Sequence, residues 1–179
     1  TLSHLADYLE EFERNAKRNG AQVHWARDAA EHNQIVFDIL SSNGADMLVK
    51  AKSMLTDECD MRPFLENRGI EVMETDLGER IQQLDDEPPS HIVVPAVHKL
   101  RGDVARVFSQ TIGTDPDNSD VHYLAESQRK HTRPYFLRAD AGMTGANFAV
   151  AETGTVVVCT NEDNADLSVN LPAFLAGSG

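Results

Sequence analysis

Two lysines two residues apart, in VKAKSM (49–54), are the first residues whose type and spacing suggest chemistry. In an extended strand Lys50 and Lys52 share one face, opposite Ala45, Met47, Val49 and Ala51. Open α/β sheets bind ligands outside the C-terminal ends of their strands. Placed there, the pair can meet a carboxylate or a phosphate; as solvent-facing charges at a strand exit, they need no ligand. ETDLGE (74–79) follows a second strand-like run. Glu74, Asp76 and Glu79 can pair with those lysines, act as acid or base, or hold a cation. Asp76 and Glu79 also fit a helix-starting capping box, which leaves only Glu74 without a folding role.

PSHIVVPAVHK (89–99) brackets an apolar run with His91 and His98. A strand of that length holds the two too far apart to share one ion, and neither has zinc-motif spacing. His98, with Lys99, falls at the C-terminal end of the run and is the better site candidate. In DAGMTGANFAVAETGTVV (140–157), Gly142 and Gly145 can form a loop that offers backbone N–H groups to an anion. Thr144 and Asn147 add hydrogen-bonding groups beside them. No dinucleotide fingerprint, Walker A, G-x-S-x-G or H-E-x-x-H pattern occurs, so no residue is assigned to a metal.

The elements that must position these residues are legible in outline. Leu2, Leu5, Leu9, Phe12 and Ala16 recur at helical spacing, and a second helix is predicted over 28–40. Residues 45–53, 70–76 and 91–96 read as strands. Residues 60–69 read as a short helix with Asp60 as N-cap and Pro63 in its first turn. Leu100, Val104, Val107, Phe108 and Ile112 mark another helix. Ser119 or Asp120 caps a further one, which Pro134 should break or kink. Residues 147–160 read as a hairpin turned at Gly154, with its valines filling a core. Strands alternating with helices predict an α/β domain with a largely parallel sheet flanked by helices, and a C-terminal β-hairpin. One domain is expected over 1–172, with 173–179 a terminal or linker segment.

Composition narrows the partners. The net charge of −13 argues against nucleic acid or an anionic membrane, though local lysines can still hold a small anion. No apolar run approaches membrane-spanning length and no signal pattern appears, so a cytoplasmic protein is expected. Cys59 and Cys159, a hundred residues apart, offer no C-x-x-C motif; both are expected to be buried thiols.

In series, KAKSM, ETDLGERIQQL, PSHIVVPAVHK, GMTGANFAVAETGTVV and TNEDNADL resemble the LUD domain of lactate-utilization proteins, closest to the protein B (YkgF-type) branch. The resemblance runs from HWARDAAEHN (24–33) to NLP (170–172). It implies a NagB/RpiA/CoA-transferase-like fold and a role in oxidising L-lactate to pyruvate beside other lactate-utilization subunits. It places iron–sulfur clusters only in a C-terminal part that this chain lacks, and leaves this chain's own cofactor unknown. The motifs bring Ser53, Glu79, Lys99 and Asn161 into one anion-binding set with the residues above. The family's Asn-Glu-Gly-Asn is here Asn161-Glu162-Asp163-Asn164.

On this basis Lys50, Lys52 and His98 would form a cationic pocket for a carboxylate or phosphate. Glu74, Asp76, Asn147 and Glu152 would orient polar groups, with His98 as base. In the alternative, a group-transfer or isomerase-like site, Glu152 is nucleophile or base beside the glycine loop. A third reading is a non-catalytic module that docks iron–sulfur partners.

Overall fold

The computed structural model of the chain describes residues 2–90, 94–160 and 163–178. Four parallel strands form the sheet, in the order β2 (Glu71–Glu74), β1 (Met47–Lys50), β3 (Ala141–Gly145) and β6 (Phe174–Ser178). A separate antiparallel hairpin, β4 (Phe148–Val150) with β5 (Thr155–Val157), completes the predicted α/β architecture. Among the described residues no helix is long and apolar enough to cross a membrane.

The sheet forms around β1, whose residues are buried on both faces, as in a covered parallel strand. Leu48 packs with Val72, Ala141 and Met143 beneath α2 (Ala29–Ser42) and α4 (Met61–Glu66), which supply Val36, Leu40, Met61 and Leu65. Met47 and Val49 point the other way, against Met73 and Phe136 of α7 (Val121–Arg138). A third cluster joins α5 (Leu77–Leu84), α6 (Arg101–Ile112) and α7 through Ile81, Phe108 and Leu124.

Several local expectations are corrected. A short helix, α3 (Met54–Glu58), follows β1 directly; Ser53 caps it by accepting from Thr56 N. Asp60 precedes α4 in a left-handed conformation, φ 49°, and its side chain makes no capping bond. The break expected at Pro134 does not occur: α7 runs on to Arg138, its last turns anchored by Phe136. Of the strand expected over 91–96, residues 91–93 lie outside the described residues, and 94–98 are bend and turn. Pro95 cannot donate to a ladder, and its carbonyl instead accepts from Ser90 N.

The tail expected over 173–179 is instead largely β6, hydrogen-bonded along β3. GMTG is likewise strand, not loop. A Cβ on Gly142 would lie 1.7 Å from the Ser168 carbonyl oxygen, so glycine here lets α8 (Asn164–Asn170) press against β3. The hairpin forms as predicted, but its tip takes four residues, 151–154, and its apolar side chains fill no core. Phe148 is 64% exposed and Val156 48%. What anchors it is its tip: Asn15 donates to the carbonyls of Ala151 and Glu152, and Asn19 to that of Thr153. A Cβ on Gly154 would collide with the backbone of α1 (Leu5–Arg18) at Ala16. α1 buries only Asn15 and Ala16 and leaves Leu5, Tyr8 and Leu9 exposed.

Candidate functional site

Because all four strands run the same way, their C-terminal ends meet along one edge. A cleft of about 430 Å³ opens there, within the usual range for small-molecule sites. Lys52, Ser53 and Met54 line it from the exit of β1, and Asp76 from the exit of β2. Thr144, Gly145 and Asn147 line it from the end of β3, and Ser178 from the end of β6. Cys159, Thr160 and Asn164 close the side between the hairpin and α8.

The two lysines of the opening motif part company. Lys50 is still in β1 and is 1% exposed. Its Nζ donates to Glu74 Oε2 at 2.9 Å and lies 3.3 Å from Asp57 Oδ1. Burial alone would push the ammonium down, but Glu74 and Asp57 outweigh it and hold its pKa above the ordinary lysine value. Lys50 and Glu74 are therefore a buried ion pair inside the sheet, not cleft groups. The chain leaves the strand after Lys50, and this turns Lys52 into the cleft.

Behind Lys52 lies Glu79, whose Oε1 is 3.4 Å from the Lys52 Nζ. Glu79 is 5% exposed, and its Oε2 is buried without a hydrogen-bond partner among the described residues. Burial, reinforced by the Asp76 carboxylate, pushes the Glu79 carboxyl up to about 8. Asp76 caps α5 as predicted, accepting from Gly78 N at 3.1 Å. Glu79 turns away from a capping box toward Lys52. Three charged side chains thus meet at the cleft floor, two of them bordering it directly.

Elsewhere the predicted set disperses. His98 does not border the cleft; it sits in the turn after residue 94, within hydrogen-bond distance of Ser90 Oγ (2.7 Å) and Glu87 (2.9 Å). Lys99 pairs with Asp85 and, at 2.8 Å, with Glu87 in the same surface cluster. Lys50, Lys52 and His98 consequently do not share a pocket. Glu152 is at the hairpin tip, with its carbonyl held by Asn15, away from the cleft lining. Asn161 lies outside the described residues.

Asn147 has a folding role. Its Oδ1 accepts from Cys159 N at 2.7 Å, which ties the chain after β5 to the end of β3. Thr144 Oγ1 donates to the Gly145 carbonyl. Of the two thiols, Cys59 is buried as expected, but Cys159 is exposed on the cleft wall. TVVV before it suggests a core strand; the hairpin's outward position removes that burial. Ser178 and Thr160 are not singled out by the sequence. The linker-like setting of Ser178 hides it, and Thr160 carries no local signal.

Among the described residues no group of three His, Cys, Asp or Glu side chains is placed to hold a metal ion. Nor does the thiol set fit an iron–sulfur cluster, which takes several cysteine thiolates at one point.

Parallel α/β connectivity with a polar cleft at the strand ends defines a class of open α/β domain, the one in which ligand sites generally lie outside the strands' C-terminal ends. Within that class, the chain belongs to the LUD domain family, whose profile matches residues 9–174. It is 45% identical over 174 residues to lactate utilization protein B of Shouchella clausii (strain KSM-K16). It is 41% identical over 172 residues to the proteins of that name from Bacillus cereus (strain AH820) and Bacillus thuringiensis (strain Al Hakam). Each alignment covers 96% of this chain but 36% of the relative, so the chain spans about a third of those proteins. No solved structure matches the chain.

Proposed function

We propose that this chain is the ligand-binding domain of a lactate-utilization protein, and that its strand-end cleft takes a small 2-hydroxy- or 2-oxocarboxylate. The observation that carries this reading is the placement of Lys52 at the cleft, with Asp76 bordering it and Glu79 behind. The Lys52 ammonium would hold the ligand carboxylate, while Asp76, Ser53 and Thr144 offer polar groups for a 2-hydroxyl or 2-oxo oxygen. The relatives' name supports lactate or pyruvate as the ligand. Among the described residues, one lining cation stands beside one lining carboxylate, which favours a monoanion over a phosphate ester, whose second charge would face Asp76.

Oxidising L-lactate to pyruvate removes two electrons and two protons and needs an electron acceptor. This reading assigns that acceptor to partner lactate-utilization subunits or to the further length that the relatives possess, not to the described residues. Binding is tested by calorimetry with L-lactate and pyruvate, on the chain and on Lys52→Ala. Saturable binding weakened at least about tenfold by the substitution is expected, the loss of one charge-assisted contact. No saturable binding, or equal binding by the variant, would sink the reading.

A second reading, docking of partner subunits, draws on the exposed hairpin. Phe148→Ser would then weaken co-purification with those subunits and leave lactate binding unchanged. The group-transfer reading has no such support, because Glu152 does not border the cleft.

A further inference from the structure

Glu79 touches no ligand group in that binding scheme, yet it is the most anomalous charged group near the cleft. Its carboxyl is withdrawn from solvent, one oxygen faces the Lys52 ammonium at 3.4 Å, and the other is buried without a partner among the described residues. A buried carboxylate with an unsatisfied oxygen is costly, whereas a protonated one is far less so. The same oxygen that would carry the proton is the one with no donor to satisfy it.

We propose that Glu79 is a positioning residue that couples anion binding to a proton: the cleft takes its carboxylate ligand at Lys52 with Glu79 in the neutral acid form. This rests on the ligand reading above and specifies how the site is controlled. With Glu79 neutral, one negative charge is gone from beside the Lys52 Nζ, and the ammonium attracts the ligand more strongly. With Glu79 ionised, its carboxylate competes with the ligand for the same cation. Binding an anion under alkaline conditions must then draw a proton onto Glu79.

The groups around it fit this assignment. Asp76, at the start of α5, adds a second negative charge and favours the protonated form. Lys52, from the exit of β1, favours the ionised form but is partly exposed. The loop packed on the start of α5 brings Pro95 to Gly78, and α8 brings the uncharged Asn164 to the cleft. Among the described residues, two further titratable groups lie at the cleft: Cys159 on its wall, and His32 behind Ser178, whose Oγ it meets at 2.9 Å. Substitution at Glu79 separates their effects from its own.

The test is the affinity for L-lactate and for pyruvate from about pH 6 to about pH 9.5, with proton uptake counted in buffers of different ionisation enthalpy. The unmodified chain should bind with constant affinity at the acid end and lose up to about tenfold per pH unit once Glu79 ionises. Proton uptake should approach one per ligand there. Glu79→Gln should bind with a flat profile at the acid-end affinity and without that uptake. Asp76→Asn, which still caps α5, should keep the slope but shift its onset to lower pH. A flat profile in the unmodified chain, or an unchanged slope in Glu79→Gln, would overturn the coupling while leaving the ligand reading intact. Absence of binding at every pH would instead remove the ligand reading, and the coupling with it.

Discussion

Replacing Lys50 by methionine separates a structural lysine from a ligand-binding one. The ammonium is 1% exposed and touches Glu74 at 2.9 Å and Asp57 at 3.3 Å. Methionine fills much the same volume but leaves Glu74, itself 4% exposed, without its counter-ion. Breaking a buried pair in this way costs about 3–5 kcal/mol. Asp57 is partly solvated, and we assign it little of that cost. A domain of ordinary stability has about 5–15 kcal/mol to lose, so the variant should fold with a much lower denaturation midpoint. Removing both charges, in Lys50→Met/Glu74→Leu, should recover most of the loss, because no buried charge then lacks a partner. Urea denaturation of the two variants and the unmodified chain measures this. The Glu74 carboxyl, already pushed up by burial even beside Lys50, should rise further in the single variant, so the folded state keeps a proton that the unfolded chain gives up. Its stability is fully present below the ordinary glutamate value and is lost as the pH rises toward the folded value. The deficit of Lys50→Met should therefore widen from acid to neutral pH. A cost under about 1 kcal/mol, or a double variant no better than the single, would refute the buried-pair assignment.

Three further outcomes follow from the geometry. Glu79, raised to about 8, holds a proton in the folded state that the unfolded chain loses near 4.5, so its contribution to stability declines as the pH rises between those values. Glu79→Gln should accordingly flatten the pH dependence of denaturation by a slope of order 1 kcal/mol per pH unit, and an unchanged profile counts against the assigned shift. Gly142→Ala should destabilise by more than the usual overpacking cost of about 1–3 kcal/mol, because the new methyl meets the Ser168 backbone at 1.7 Å; a midpoint within error of the unmodified chain would contradict the α8–β3 packing. Iodoacetamide should modify Cys159 quickly and Cys59 only on unfolding, and saturating lactate should slow the Cys159 reaction. Equal rates for the two thiols would contradict the described cleft wall.

Period-2 and period-3.6 patterns make most elements legible: both N-terminal helices, β1, β2, the α6 helix and the hairpin lie where apolar spacing puts them. What the patterns miss has local causes. The terminal segment 173–179 reads as a linker because of its closing GSG, yet backbone pairing to β3 makes FLAGS (174–178) an edge strand, and pairing leaves no trace in side-chain type. Gly142 and Gly145 suggest a loop because glycine is common in loops. Here Gly142 makes room for α8, a demand set by an element more than twenty residues later. The hairpin valines look like core because β-branched runs usually are, but among the described residues no surface covers them.

The site is half legible, and Lys50 and Lys52 show why. Alternation puts them on one side of an extended chain, but it cannot say where the sheet ends. β1 stops at Lys50, so two residues of identical type and parity become a core ion pair and a cleft cation. Glu74 and Glu79 divide in the opposite sense from their local patterns. Glu74, the carboxylate without a folding role in the sequence, neutralises Lys50. Glu79, the one that a capping box would have explained, is left with an unsatisfied buried oxygen. Pairing partners are chosen by tertiary distance, so the residue that local rules leave unexplained need not be the functional one. The stronger indicator is a charged group for which the finished fold supplies too few partners; Glu79 and Arg80 both meet it among the described residues, and of the two Glu79 lies directly behind the one lysine that lines the described cleft.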